Sequence, residues 1–292
     1  MRLHCTESAL SLNLKMKSTS HNVRANVLGV GVSAMDMDGA LATIASAIAA
    51  GTKGYVCASG VHGIMEAQKD PALRRILNNS FLNLADGRPT TWVGRIQGLY
   101  RIRQVTGPNL MLRLCALSVK TGYTHFFYGG DVGVAEQLKA AMIKRFPGLK
   151  VIGTYTPPFR PLQPEEAAAL AGMVSRLKPD IFWVGLSTPK QERWVAEYID
   201  KLDTKLMFAV GAAFDMHTGR IQESPEWLKA MGLQWLHRLC QDPRRLWKRY
   251  LINNPKFLAK ISLQLMGVRR YEPIAERSVM MHQPAFQDTM HD

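Results

Sequence analysis

The chain has 292 residues, of which 47% are hydrophobic and 21% charged, so it is long enough to bury a sizeable core and is neither a short peptide nor globally disordered. Its 37 Lys and Arg outnumber its 23 Asp and Glu, and the net charge of +14 favours an anionic partner: nucleic acid, a phosphate-bearing substrate or an acidic lipid surface. The four cysteines are far apart and no apolar stretch reaches the ~20 residues of a membrane span, so we expect a cytoplasmic protein with reduced thiols and, at most, peripheral membrane contact.

Short β-rich runs alternate with longer helical patterns from residue 26 to residue 210. The predicted strands are 26–32, 54–57, 81–85, 125–128, 150–155, 180–184 and 205–210, and the predicted helices are 38–50, 61–79, 132–146, 164–177 and 189–199. This alternation predicts an α/β, Rossmann-like fold with a largely parallel sheet and helices on both faces. Such sheets bind ligands beyond the carboxyl ends of their strands, so we look for site residues there.

After residue 210 the strand pattern stops and helical patterns follow at 225–239, 243–252 and 255–266. Residues 220–270 contain 11 Lys or Arg and 3 Asp or Glu, with Trp and Leu interleaved. This composition predicts a basic helical appendage that contacts anionic lipid. The alternative is a set of helices that pack their apolar side on the sheet domain and expose their basic side.

These patterns divide the chain into four parts. Residues 1–24 and 271–292 are predicted to be poorly ordered tails. Residues 25–219 are predicted to form the Rossmann-like domain that holds the site, and residues 220–270 the membrane-proximal appendage.

A glycine-rich turn follows the predicted strand at 125–128. Gly129, Gly130 and Gly133 permit close backbone approach just before a helix, where a diphosphate could bind. A tight strand-to-helix turn with no ligand explains the same pattern equally well.

Polar residues follow two other strands. Pro189 starts a helix whose first turn presents Lys190, Gln191 and Glu192 above a strand end, which favours a ligand site over an ordinary helix start. Asp86 ends another strand, where a general base would work, although an Asp-Gly turn is the common alternative.

Asp36 and Asp38 form a DxD pattern of the kind that holds a divalent cation with a nucleotide sugar. Asp38 is also well placed to cap the helix that begins there, and we favour that interpretation. The histidines have no metal-ligand spacing either. We therefore expect no metal site.

Seven motifs occur in a fixed order along the chain. They are Asp86-Gly87, Gly129-Gly130 before Val134-Ala135-Glu136, Pro157-Pro158-Phe159, Pro189 to Trp194, Phe214-Asp215 with Gly219, Gly232 to Leu239, and Pro243-Arg244-Arg245 with Arg249-Tyr250-Leu251. Their order and spacing resemble the bacterial TagA/WecG/CpsF glycosyltransferases, glycosyltransferase family 26, from about residue 26 to residue 266.

The resemblance implies an inverting, metal-independent enzyme without a cofactor. Such an enzyme moves a hexose or N-acetylhexosamine from a UDP-sugar to a polyprenyl-diphosphate-linked saccharide, in cell-envelope or exopolysaccharide synthesis. It also implies peripheral attachment to the inner face of the cell membrane.

The resemblance also implies roles for particular residues. Asp86 would be the catalytic base, with Gln191 and Asp215 as further polar residues of the active site. The donor and its nucleotide would lie near Gly129, Gly130, Gly133, Pro189, Lys190, Gln191 and Glu192, and the phosphate or lipid headgroup near Arg238, Arg245 and Arg249. A fixed positive charge can stabilise a departing diphosphate without a metal.

The chain departs from the family pattern around the expected acceptor region. Cys57-Ala58-Ser59 replaces the usual Thr-x-Asn, and Asn109 replaces the usual Asp. Glu223 and Gln234 stand where Arg and Glu are usual. These changes leave the sugar open among N-acetylmannosamine, mannosaminuronic acid and glucose.

An RNA-binding Rossmann-like methyltransferase is the main alternative, because it too would combine such a sheet with a basic appendage. A nicotinamide-dependent oxidoreductase is disfavoured by the lack of GxGxxG followed by an acidic residue. A non-catalytic membrane scaffold would not concentrate polar residues at strand ends. We expect no nucleic-acid partner.

Overall fold

The computed structural model describes residues 23–231 and 233–272. The strands are β1 (Arg24–Val27), β2 (Val30–Ser33), β3 (Gly54–Ser59), β4 (Leu82–Ala85), β5 (Thr124–Gly129), β6 (Lys150–Tyr155), β7 (Ile181–Gly185) and β8 (Leu206–Ala209). The helices are α1 (Met37–Ala49), α2 (Val61–Ala67), α3 (Pro71–Asn79), α4 (Arg88–Ile96), α5 (Gly107–Thr121), α6 (Val134–Arg145), α7 (Pro164–Leu177), α8 (Lys190–Tyr198), α9 (Ala213–His217), α10 (Glu226–Met231), α11 (Gln234–Gln241), α12 (Pro243–Trp247), a π-helix (Lys248–Ile252) and α13 (Asn253–Leu265).

A six-stranded parallel sheet forms the centre of the fold, in the order β4-β3-β8-β7-β5-β6. Strand β7 is a continuous apolar run whose residues from Ile181 to Val184 are fully buried, as expected for a strand covered on both faces. One hydrophobic cluster contains Phe126 and Phe182, and another contains Phe127 and Trp183, so alternate residues of neighbouring strands point to opposite layers. The predicted α/β, Rossmann-like fold is confirmed.

The first predicted strand, 26–32, is instead an antiparallel hairpin of β1 and β2 outside the main sheet. Leu28 and Gly29 both have positive φ angles, which reverse the chain in the middle of the apolar run. The side chain of Asn83 on β4 fastens the hairpin by donating to the Gly31 carbonyl at 2.8 Å. Arg24 lies in β1, although the sequence placed it in the N-terminal tail.

The helical predictions differ from the structure in two ways. The predicted helix 61–79 is two helices, because Asp70 caps a new helix at Pro71 by accepting from the Ala72 amide at 2.9 Å. The sequence also missed α4, α5 and α9, of which α4 and α5 each have a proline in the first turn.

The C-terminal region is helical, as predicted, and its last helix belongs to the main body. Phe257 and Ile261 of α13 are buried in the same cluster as the β1–β2 hairpin. The Gln264 side chain accepts from the Leu28 amide at 2.8 Å and donates to the Asn26 carbonyl at 2.7 Å. Within the described ranges, no helix has the length and apolar character needed to cross a membrane.

Most of both predicted tails lies outside the described residues, which begin at 23 and end at 272. Tyr271, placed in the C-terminal tail by the sequence, packs partly buried against the core.

Candidate active site

A cleft of about 1230 Å³ lies at the carboxyl ends of the parallel strands and extends to the C-terminal helices. Ten of the predicted site residues line it: Ser59, Asp86, Asn109, Gly130, Lys190, Gln191, Glu192, Asp215, Arg238 and Arg249. Because parallel strands end at one edge of the sheet, residues far apart in the sequence meet there.

Asp86 follows β4 directly and is held on both sides through its backbone. Its amide donates to the Ser59 carbonyl at 3.2 Å, and its carbonyl accepts from the Gln104 side chain at 2.8 Å. Burial raises the pKa of the Asp86 carboxyl above its ordinary value of 3.8, while Arg249, Arg238 and a hydrogen bond from the Gly107 amide act in the opposite direction. A carboxylate with a raised pKa in a cleft is suited to accept a proton.

Glu192, in the first turn of α8, is buried beneath the cleft with only 3% of its surface exposed. Its Oε1 accepts from Thr188 Oγ1 and from Gln191 Nε2, each at 3.0 Å. Glu192 Oε2 and Gln191 Oε1 are buried and have no hydrogen-bond partner among the described residues. Burial raises the pKa of Glu192. Both oxygens are shielded from solvent, and their hydrogen-bonding capacity is unused among the described residues.

The predicted glycine turn is required by the packing of β5 against β7. A Cβ added to Gly129, whose φ is +124°, would lie 2.6 Å from the Gly185 carbonyl oxygen. Gly130 lines the cleft and donates to that carbonyl at 3.0 Å, whereas Gly129 and Gly133 are not among the lining residues. The close approach therefore explains Gly129 without a ligand.

Asp215 on α9 lies in a small charged group at the cleft wall. Arg220 forms ion pairs with both Asp215 and Asp131, the former at 3.4 Å. Asp131 follows Gly130, so this arginine links the β5–α6 turn to α9.

The C-terminal helices bring positive charge to the cleft. Arg238 lies on α11 and Arg249 on the π-helix, and both lower the pKa of Asp86. Arg245 lies on α12, and its side chain is outside the described part of the structure. Lys190 is exposed at the cleft, and Pro189 immediately precedes α8 without lining the cleft.

Two of the three residues predicted for the acceptor region line the cleft, and the third does not. Ser59 and Asn109 line the cleft, whereas Cys57 points into the core, is fully buried and is not a lining residue. Burial raises the pKa of the Cys57 thiol, with Glu192 contributing in the same direction. The position of Cys57 thus gives no direct contact with an acceptor.

His62 also lines the cleft and was missed by the sequence analysis. Burial and the charge of Arg249 lower its pKa to about 4, so the imidazole is neutral at pH 7. His62 lies in the first turn of α2, three residues beyond the end of β3, so the rule of searching after strand ends would have found it.

An aromatic stack forms one wall of the cleft. The ring of Trp194 lies 4.1 Å from that of Tyr128 and 4.5 Å from that of Tyr198, with the planes nearly parallel. Because these rings stack on one another, they form an apolar wall whose stacked faces are already in contact.

The DxD pattern has other partners in the structure. Asp36, rather than Asp38, caps α1 by accepting from the Gly39 amide at 2.8 Å, and Asp38 pairs with Arg113 at 2.8 Å. In the part of the chain that the structure describes, no three His, Cys, Asp or Glu side chains group as metal ligands.

Comparison with known proteins places this site in a family. The model of the "Glycosyl transferase WecG/TagA/CpsF family" matches residues 25–271. An enzyme of Bacillus subtilis (strain 168), named N-acetylglucosaminyldiphosphoundecaprenol N-acetyl-beta-D-mannosaminyltransferase, is 23% identical over 211 residues, which cover 72% of this chain and 80% of that enzyme. An enzyme of the same name from Bacillus spizizenii is 25% identical over 196 residues, or 67% and 74% of the two chains. The family match includes every strand end of the cleft, and the chain therefore belongs to the WecG/TagA/CpsF family of glycosyltransferases.

Proposed function

We propose that this glycosyltransferase moves a hexose or N-acetylhexosamine from a UDP-sugar to a saccharide carried on a polyprenyl diphosphate, for a cell-envelope polymer or an exopolysaccharide. The observation that carries the proposal is the presence, in one cleft, of the Asp86 carboxyl together with Arg238 and Arg249 from the C-terminal helices. The names of both Bacillus relatives, which specify an N-acetylglucosaminyldiphosphoundecaprenol acceptor, support the substrate class.

In this reaction Asp86 is the general base of a single displacement. The acceptor hydroxyl oxygen attacks the anomeric carbon, the hydroxyl proton passes to the Asp86 carboxylate, and the bond from the anomeric carbon to the UDP oxygen breaks with its electrons on UDP. One carboxylate suffices for such a step, and the anomeric configuration inverts.

The departing UDP carries the charge that develops in the transition state. Arg238 and Arg249 supply fixed positive charge at the cleft, and we infer that they stabilise this diphosphate or that of the acceptor. Arg245 belongs to the same proposal through its place on α12. With these cations the reaction needs no divalent metal and no cofactor.

The remaining polar residues bind and orient the substrates. Gln191 and Glu192 belong to the donor side of the cleft, beside Lys190 and the turn at Gly130, and each has one acceptor oxygen without a partner among the described residues at this wall. Asp215, held by Arg220, completes this wall. Ser59 and Asn109 are assigned to the acceptor side, and their departure from the family pattern keeps the sugar open among N-acetylmannosamine, mannosaminuronic acid and glucose.

The C-terminal helices are proposed to bring the enzyme to the inner face of the membrane, where its lipid-linked acceptor lies. Trp227, Trp247 and Leu251 are exposed there among basic residues. Exposed aromatic and cationic side chains favour the surface of an anionic bilayer.

The test is a donor screen with a short-chain polyprenyl-diphosphate N-acetylglucosamine acceptor, analysed by mass spectrometry. We expect one UDP-sugar of the three classes to add a single sugar unit to the acceptor. No transfer from any UDP-sugar, together with methyl transfer from S-adenosylmethionine to RNA, would favour the methyltransferase instead.

A further inference from the structure

A second exposed apolar and basic surface lies on the catalytic domain, on α4 and the segment after it rather than on the C-terminal helices. We call it the α4 patch, and it consists of Trp92, Arg95, Ile96, Tyr100, Arg101 and Arg103. Trp92 is 54% exposed, Ile96 66% and Tyr100 74%. Large apolar side chains grouped in this way mark an interaction surface more often than a scattered exposed residue does.

The orientation of α4 is fixed by its inner face. Val93 and Gly94 are buried, and a Cβ added to Gly94 would lie only 2.8 Å from Ile102 Cδ1. Because this face packs so closely on the body, Trp92 and Ile96 on the other face cannot turn inward.

The segment after α4 is also held in place. The Gln97 side chain accepts from the Asn26 amide at 2.9 Å and donates to the Asn26 carbonyl at 2.7 Å. The Arg103 guanidinium donates to the Tyr100 carbonyl at 2.6 Å. The backbone of the patch is therefore held in place before any partner binds, which limits the conformational entropy lost on binding.

The chain segment that contains the patch is basic. From Gly87 to Gly130 the chain contains six Lys or Arg and no Asp or Glu. Within the described residues, no ion pair involves Arg95, Arg101 or Arg103. These cations are available to an anionic partner.

The patch adjoins the entrance of the active-site cleft. Arg88 and Trp92, both on α4, line the cleft together with Asp86, which precedes the helix by two residues. A partner bound to the patch would therefore lie beside the point where an acceptor enters.

We propose that the α4 patch is a second membrane-contact surface, which binds the anionic phospholipid surface and works with the C-terminal helices to turn the cleft mouth toward the bilayer. Trp and Tyr beside Arg match the chemistry of that interface, where aromatic rings lie at headgroup level and guanidinium groups meet phosphate. The inference rests on the proposed function in one respect, namely that the lipid-linked acceptor lies in the membrane.

A second copy of this chain fits the patch less well. In a two-fold dimer the same patch would face itself and bring Arg95, Arg101 and Arg103 of both copies together, which like-charge repulsion disfavours. RNA would satisfy the arginines, but it would leave Ile96 in water or against phosphates.

The experiment measures co-sedimentation of the full chain with phosphatidylcholine vesicles, with and without phosphatidylglycerol, at low salt. One double variant, Arg95→Gln/Arg101→Gln, removes charge, and another, Ile96→Ser/Tyr100→Ser, removes apolar surface. The matched control, Lys144→Gln/Arg176→Gln, removes two exposed charges from α6 and α7, next to β6 at the other edge of the sheet. Circular dichroism checks the folding of each variant.

Both patch variants should bind the anionic vesicles about tenfold less than the unchanged chain, while the control keeps its binding. Sugar transfer to the short-chain acceptor, measured without vesicles or detergent, should be unchanged in all three variants. A loss of this transfer would indicate a failure of the proposed chemistry, independently of membrane binding. Unchanged vesicle binding by both folded patch variants overturns the inference. A change confined to sedimentation velocity, or to RNA affinity, also overturns it and assigns the patch to self-association or to RNA.

Discussion

The surroundings of Asp86 disfavour the charged form of its carboxyl, because burial raises its pKa. We expect Asp86→Asn to lower the turnover number by about 10²- to 10⁴-fold while UDP binding stays close to normal. Single-turnover assays and calorimetric titration of UDP measure the two effects. Asp38→Asn, outside the cleft, is the matched control, and full activity of a folded Asp86→Asn variant would remove Asp86 from the mechanism.

The same substitution should not reduce stability. A raised carboxyl pKa means that the folded state binds the proton more tightly than the unfolded chain, so ionisation costs stability as pH rises through the folded-state pKa. Wherever the carboxyl is ionised that cost is present, and Asn removes it. Equal or higher melting temperature of Asp86→Asn is expected, and a large drop would show that the carboxylate is structural.

The fall of kcat/KM at acid pH, which is the acid limb of its pH profile, should follow the ionisation of the Asp86 carboxyl. A general base works only when ionised, so kcat/KM falls as pH falls through its pKa, which lies above 3.8. Arg249 lowers that pKa, and Arg249→Gln should therefore move the limb to higher pH, whatever it does to the maximal rate. Arg113→Gln, on the exposed pair with Asp38, should leave the limb in place. A limb that stays fixed in Arg249→Gln would contradict the assignment.

Individual site residues could be predicted from the sequence because they follow the ends of predicted strands. Asp86 and Gln191 were found in this way, and His62 would have been found by extending the same search into α2. The capping residue of α1 was wrong by two positions, because Asp36 and Asp38 both fit a helix start and only the backbone geometry distinguishes them. Cys57 is buried because both faces of β3 are covered: Tyr55 and Cys57 lie in one core cluster and Val56 in the other.

The β5–α6 turn and β7 approach each other more closely than any side chain would allow. Gly129→Ala should lower the free energy of unfolding by about 2 kcal/mol or more, because it combines an unfavourable φ angle with a contact to the Gly185 backbone. Gly172→Ala is the control: it lies on α7 with nothing within 4 Å of an added Cβ, so it should stabilise by about 0.5–1 kcal/mol. Urea denaturation measures both, and equal stability of the two variants would refute the packing argument.

Helix α13 is an integral part of the core as well as the end of the basic region. Phe257 is 1% exposed and its neighbour Leu258 is 56% exposed. We expect Phe257→Ala to cost about 3–5 kcal/mol and Leu258→Ala less than about 0.5 kcal/mol. Thermal melting distinguishes them, and a small effect at Phe257 would mean that α13 separates easily from the sheet.

The sequence predicted the main elements where the periodicity was strong and missed those where it was weak. The strands of the parallel sheet are short β-rich runs separated by helical patterns, and all six were found. The β1–β2 hairpin was read as one strand because its turn interrupts no apolar pattern, and Leu28 at the turn is itself buried. The burial of Phe257 against the hairpin is a contact between distant parts of the chain, which periodicity cannot reveal.

For the whole molecule, positive charge and the cleft occur on the same side of the enzyme. Arg238 and Arg249 reach the cleft from the C-terminal helices, and Arg88 reaches it from α4. An enzyme arranged in this way can hold two diphosphates, one of the donor and one of the lipid-linked acceptor, by arginine alone.

The most direct test of the central claim is the anomeric configuration of the product formed in the presence of EDTA, determined by nuclear magnetic resonance. Direct displacement assisted by Asp86, with arginines in place of a metal, predicts full activity in EDTA and a configuration opposite to that of the UDP-sugar. Retained configuration, or activity that EDTA abolishes and Mg²⁺ or Mn²⁺ restores, would contradict the account.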